Sequence, residues 1–225
     1  MSEWTNLPTF GVALSIGAYA VGLWVNRKLR SPLANPLFIA IALVIAVLLV
    51  FHIPLEHYQS GAGLISLFLG PATASLALAI HRRMDVLRRN LLPVLCGTAV
   101  GAAVSMGSVW GLSRLFGLGD ELTFTLLPKS VTTPIAMELS RQHGGIVPVT
   151  VAAVVFTGIL GAVFAPLLLR LFRVKDPVEA GLAIGTASHA VGTTKALELG
   201  ETEGAMSGIA IGLAGLFTVV YSLFL

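Results

Sequence analysis

Charge is what this sequence has least of. Only 11% of its 225 residues are Asp, Glu, Lys or Arg, whereas 56% are hydrophobic. A soluble domain carries about 25% charged residues, so a soluble globular fold is excluded. The mean hydropathy of +0.89 predicts an all-α polytopic membrane protein, because open strands leave backbone groups unsatisfied in lipid. Cysteine is nearly absent too. With Cys96 alone, no intramolecular disulfide and no Cys-based metal site can be built. The motifs HExxH and GxSxG and the P-loop are missing, and Ser188 beside His189 is no catalytic dyad, since adjacent residues on a helix diverge. No enzyme, cofactor or metal is expected. The opening MSEW carries Glu3 in place of a basic n-region, so the expectation is no cleaved signal peptide and a first apolar segment that stays as a helix. The net charge of +3 lies in short basic runs between apolar spans. Such runs set orientation against lipid headgroups and do not suggest nucleic acid.

What is present is apolar sequence in six lengths. Residues 7–25, 36–53, 62–80, 91–112, 146–169 and 204–225 are each near the roughly 20 residues that a spanning helix needs. Arg27, Lys28 and Arg30 follow the first span, His81, Arg82, Arg83, Arg88 and Arg89 the third, and Arg170, Arg173 and Lys175 the fifth. All three clusters are cytoplasmic if the N-terminus is outside. Trp4, Trp24 and Trp110 fall near span ends, as an aromatic belt requires. Glycines four apart (Gly97 and Gly101, Gly107 and Gly111, Gly204 to Gly212) fit a packed bundle and are compatible with a homodimer.

Two polar stretches interrupt this frame: LPKSVTTPIAMEL at residues 127–139 and GTASHAVGTTKALEL at residues 185–199. The charge count leaves the first outside at both ends and the second, residues 178–200, inside at both ends. Each must dip in and return. Non-helical backbone at that depth is tolerated only where protein or a water cavity surrounds it. The stretches also belong to an internal repeat. RLFGLGD at Arg114 recurs as RLFRVKD at Arg170, 56 positions later, and VTTPIAMEL at Val131 matches VGTTKALEL at Val191 at an offset of 60. A unit with one crossing and one re-entrant segment places its successor upside down, which is the inverted-repeat arrangement of many secondary transporters. A fainter third copy, FLGPATASLAL at Phe68, allows parallel repeats as a second choice, at the cost of placing the Arg170 cluster outside. The expected organisation is a three-helix scaffold at 1–90, a core at 91–225 made of units 91–145 and 146–200, and a last helix at 204–225.

Ionisable groups inside a membrane are costly and read first as a substrate or ion site. Lys129, Ser130, Thr132 and Thr133 lie between Pro128 and Pro134, which free backbone groups. Free N–H groups, hydroxyls and a lysine suit a small carboxylate. The alternative is a snorkelling lysine with back-bonded hydroxyls. Ser188, Thr193, Thr194 and Lys195 offer the same groups in the second stretch, with His189 as a proton carrier or else a structural histidine. Glu138 and Glu198 hold matching places and are further proton-coupling candidates, unless they simply sit at the water boundary. Lys195 and Glu198 are spaced to pair on a helix. Asp120 and Asp176, after the matching RLF runs, read as N-caps or turn residues.

The residues LPKSVTTPIAMELS, GGIVPVTVAAVVFTGILG and GLAIGTASHAVGTTKALELGETEGAMSGIAIGLAG resemble the LrgB/CidB family, and the overall look is of an enterobacterial member. The resemblance implies a multi-pass bacterial inner-membrane protein that works with a small LrgA/CidA-type membrane partner. It also implies kinship with the plastidial glycolate/glycerate translocator. The leading expectation is a proton-coupled secondary transporter of small monocarboxylates. The alternative is a holin/antiholin-like regulator of murein hydrolase export and lysis. A transporter needs a polar site in broken helices within an inverted repeat, and a pore-former needs amphipathic faces and oligomerisation. The residues supply the first set.

Overall fold

A computed structural model describes residues 5–29 and 35–225. Glu3, Trp4 and Arg30 lie outside the described residues. Every regular element among those described is helical, and the chain forms two compact units divided between Ser75 and Leu76.

In the first unit, α1 (Pro8–Leu29), α2 (Pro36–Val50) and α3 (Leu55–Ser66) pack on Ala18, Ala40 and Val44. Asn35 starts α2 by accepting from the N–H groups of Leu37 and Phe38 at 2.9 and 3.3 Å, with Pro36 at the first helical position. Ser15 donates to the carbonyl of Gly11 at 2.8 Å. The hydroxyl of Tyr58, 2.9 Å from Ser15 Oγ, must therefore be the donor between them. The third apolar stretch does not form one span. It breaks at Leu67 and Phe68, after α3 and before α4 (Leu69–Arg82). Pro71 is the cause: it has no N–H, and its ring clashes with the carbonyl four residues back, at Leu67. The first, fourth, fifth and sixth stretches do form helices long and apolar enough to cross a membrane, and α2 is a shorter apolar helix.

The second unit continues with α5 (Met84–Arg89), α6 (Leu91–Leu115), α7 (Asp120–Leu126), α8 (Thr133–Gln142), α9 (Val147–Leu171), α10 (Pro177–Leu199) and α11 (Glu201–Ser222). Its surface is apolar and its interior small and polar. Val100, Val104, Phe156, Leu167 and Leu216 are exposed, while Thr98, Thr125, Ser140, Thr150, Ser188 and Ser207 are buried. A soluble protein rarely exposes such a surface. In a bilayer it faces lipid, and small hydroxylated residues bring helices together. Lys28 stands 5.1 Å over Trp24 and Arg114 5.6 Å over Trp110, so each described tryptophan near a span end is joined to a cation.

The helix α10 is two arms rather than one rod. His189 has φ 44° and ψ −144°, and the chain reverses there. Ile184 and Ala196, twelve positions apart, share one apolar cluster with Ala165, and a Cβ on Gly192 would lie 3.1 Å from Ile184 Cγ2. Neither contact is possible along a straight helix, which would hold the first pair about 18 Å apart and the second about 12 Å apart. Both arms lie on the first half of α11. Gly181 and Gly185 of the first arm meet Glu203, Met206, Ser207 and Ala210 in ascending order, whereas Thr193 and Leu197 of the second meet Ser207 and Gly204 in descending order. The segment therefore enters and leaves at one end, as the charge count predicts. Asp176 caps its start, accepting from Val178 and Glu179 at 2.7 and 3.2 Å. Asp120 is instead the first residue of α7, after the N-cap Gly119, and pairs with Arg114 at 3.1 Å.

The other broken segment, α7 through α8, occupies the opposite end. On α6 the hairpin covers Gly97 and Gly101, and the broken segment covers Ser105, Met106 and Val109. On α11 the hairpin covers positions up to Ala210, and the broken segment meets Gly215 and Ser222. On α9 the order is reversed, with Thr150 and Val154 beside the broken segment and Gly158, Gly161 and Ala165 beside the hairpin. Thus α9 runs against α6 and α11, and the two units of the repeat are inverted. Arg83, paired with Glu201, stands at the hairpin's open end. After replacement of the native Cys96, a thiol reagent should label Lys175→Cys and Thr202→Cys from one face of the membrane and Glu121→Cys and Gln142→Cys from the other. Labelling of Lys175→Cys and Thr202→Cys from opposite faces would contradict the hairpin.

Candidate functional site

The two breaks meet near the middle of α6, α9 and α11. Leu127 to Thr132 form a non-helical turn, started by Pro128, which cannot extend the hydrogen bonding of α7, and ended by Pro134 at the second position of α8. Thr132 is the N-cap by position but makes no side-chain cap bond. The N–H groups of Thr133 and Ile135 fall in the first turn of α8, where a helix supplies no internal acceptor. Lys129 is half-buried, and its Nζ donates to Ser130 Oγ at 3.2 Å. Ser105 on α6 also donates to Ser130 Oγ, at 2.9 Å.

The opposing tip is held by His189. Its ring is 3% exposed, and Nε2 lies 2.9 Å from the carbonyl of Val154. A carbonyl only accepts, so Nε2 carries the proton and Nδ1 is the nitrogen left to gain one. A positive φ is rare for a residue other than glycine and costs about 1–3 kcal/mol. Packing over-determines it here: the ring lies against Gly158, and Ser188 fills the space where Gly161 has no side chain. Thr193 donates to the carbonyl of His189 at 3.0 Å and pairs with Ser207 at 2.7 Å, closing the second arm onto α11.

The repeat is visible at atomic level. Lys129 and His189 are 60 positions apart, and Ser105 and Gly161 are 56 apart, the same offsets as in the sequence match. Ser105 faces the tip of its own unit through Ser130, and Gly161 faces the tip of its own unit through Ser188. Between the tips is a narrow cavity lined by Ala102, Ser105, Leu127, Ser130, Thr186 and Ala214, among others.

The sequence-predicted residues divide into two groups. Ser130 lines the cavity and Lys129 is bonded to it; Ser188 and His189 form the tip of the hairpin, packed on α9, and Thr132, Thr133 and Thr193 lie within a turn of one tip or the other. Thr194 is exposed and donates to the carbonyl of Val191 at 2.7 Å. Lys195 pairs with Glu198 at 2.7 Å, on the outward face of the second arm. Glu138 is exposed and bonded to Arg141 and Gln142 at 2.7 and 3.0 Å. These last four are not brought to the cavity. Sequence reasoning passed over Ser105, a single hydroxyl on an apolar helix, and Thr186, which lies in the second polar stretch but ahead of its richer part from Ser188. It also passed over His143, whose ring nitrogens face the carbonyls of Leu139 and Ser222 at 2.9 and 3.2 Å. Among the described residues no cluster of His, Cys, Asp or Glu suits a metal.

Inverted helical units whose broken segments meet between spanning helices define a polytopic membrane protein with an internal polar site. The chain belongs to the LrgB-like family, whose sequence model matches residues 15–225. Proteins named "Antiholin-like protein LrgB" from Bacillus mycoides (strain KBAB4) and Bacillus cereus (strain B4264) are each 36% identical over 217 residues, covering 96% of this chain and 94% of the relative. No solved structure matches the chain.

Proposed function

We propose that this protein is a secondary carrier of small monocarboxylates of the glycolate, glycerate or pyruvate kind, coupled to a proton. The observation that supports this reading is the meeting of two re-entrant segments, from opposite ends of an inverted repeat, at a cavity lined by Ser130 and Thr186, with Lys129 bonded to Ser130. Half-buried Lys129 supplies positive potential, the hydroxyl of Ser130 and the start of α8 supply donors, and apolar walls fit a short carbon chain. The cavity has room for about one water molecule, so a carboxylate enters only when the tips part. Rocking of one unit against the other would open it to each side in turn. In this reading residues 91–225 form the transport core and residues 1–90 a scaffold. The chain lies in the bacterial inner membrane with its N-terminus outside, beside a small LrgA-type membrane protein.

The names of the relatives favour a second reading, an antiholin-like regulator of lysis. Counterflow separates the two. In proteoliposomes preloaded with unlabelled glycolate, a carrier accumulates labelled glycolate transiently, and a pore or a regulator without a substrate does not. His189→Gln keeps a donor for the Val154 carbonyl but removes the titrating nitrogen, so it should abolish the pH dependence of uptake. Persistence of that dependence would assign the proton to another group.

A further inference from the structure

The hydroxyl of Thr186 differs from those of four other buried threonines. Thr98, Thr123, Thr125 and Thr193 each donate to the carbonyl four residues back, at 2.7 to 3.0 Å, the usual way a helix satisfies threonine. Thr186 is 8% exposed, and its Oγ1 has no partner among the described residues. A buried hydroxyl without a partner is unfavourable and calls for an explanation. Its side chain is held by α6: a Cβ on Gly101 would lie 2.6 Å from the Thr186 methyl. The glycine makes a seat for that methyl, and the threonine lines the cavity between the tips.

Across the cavity, Ser130 Oγ accepts from both Ser105 and Lys129, which leaves its own hydrogen to donate. The cavity therefore presents a hydroxyl donor on the first tip, with the Lys129 ammonium 3.2 Å from that hydroxyl, and an unpartnered hydroxyl on the second. The rest of its lining is apolar apart from Ser105 and Thr218, and no carboxylate lines it among the described residues. A carboxylate satisfies the first tip. A second oxygen, one carbon away, satisfies Thr186, which can donate or accept.

We propose that Thr186 is the specificity-determining residue of this site, selecting small acids that carry an oxygen on the carbon next to the carboxylate over unsubstituted acids. The inference rests on the carrier reading above. A site built to hydrogen-bond a ligand hydroxyl discriminates strongly against the analogue lacking it.

The test is titration calorimetry of the purified chain in nanodiscs with glycolate and acetate, which differ by one hydroxyl. The wild-type chain binds glycolate more tightly. Thr186→Val keeps the methyl on Gly101 and removes the hydroxyl, so its glycolate affinity falls about tenfold, its acetate affinity stays unchanged and its thermal unfolding temperature is no lower. Thr186→Ser retains the preference for glycolate. Equal weakening of both acids by Thr186→Val, or no change for glycolate, overturns the assignment while leaving the carrier reading intact. A Thr186→Val chain that fails to fold contradicts it as well, since the hydroxyl then has a structural partner. A wild-type chain that binds neither acid overturns the carrier reading and this inference together.

Discussion

Lys129→Ala is expected to reduce saturable glycolate uptake by about 30- to 100-fold, the effect of removing an interaction between charged groups worth about 2–3 kcal/mol. The folded protein should be retained. Lys129 is half-buried, and its ammonium bonds the neighbouring Ser130 at 3.2 Å, a local bond on which no helix packing depends among the described residues. Taking a cation out of a partly apolar site relieves desolvation. Lys129→Arg keeps the charge and should keep part of the flux. Lys195→Ala is the internal comparison. Its ammonium pairs with Glu198, which is 66% exposed, and such pairs contribute about 0–1 kcal/mol, so uptake should change no more than about fivefold. Equal losses from both lysine variants would mean that the second arm of α10 also faces the ligand.

Gly185→Val should have the largest effect on folding, about 3 kcal/mol or more, because overpacking at a backbone contact cannot relax through side-chain motion. A Cβ there would overlap the carbonyl oxygen of Ser207 and lie 2.8 Å from Ala210 Cβ. The first arm of the hairpin would have to leave α11, taking Thr186, Ser188 and His189 with it. Size-exclusion chromatography of the extracted protein should show loss of the monodisperse peak. Gly212→Val on the same α11 is the control, since nothing lies within 4 Å of a Cβ built there. If the two variants behave alike, the hairpin is not seated on α11.

The reversal in α10 was legible because charge is scarce: the cluster of Arg170, Arg173 and Lys175 fixes where the stretch begins, and the polar run from Ser188 to Glu198 marks it as no ordinary span. The first break was legible from Pro128 and Pro134, which cannot continue a helix. The interruption at Leu67 and Phe68 was not read, although Pro71 carried the same signal, because the surrounding residues are apolar enough to pass for a span. Lys195, Glu138 and Glu198 show the limit of residue type as a guide. They match the rest of the site in chemistry, and the two glutamates match each other in repeat position, yet helical phase turns them outward. Ser105 shows the converse: it is one hydroxyl on an apolar helix, and only the approach of Ser130 gives it a role, while Thr186 stood within the second polar stretch and is set apart from its neighbours by its seat against Gly101. His189 lies between these cases. Its residue type drew notice, and the structure adds that it stands at the reversal of the chain.

The most direct test of the account is the initial rate of labelled glycolate uptake into proteoliposomes as a function of concentration, with this chain alone and with a small LrgA-type partner. The account predicts a rate that saturates, rises with an imposed pH gradient and disappears in Lys129→Ala. A rate that climbs linearly with concentration and is shared by unrelated solutes of similar size, or no uptake in either combination, would contradict it.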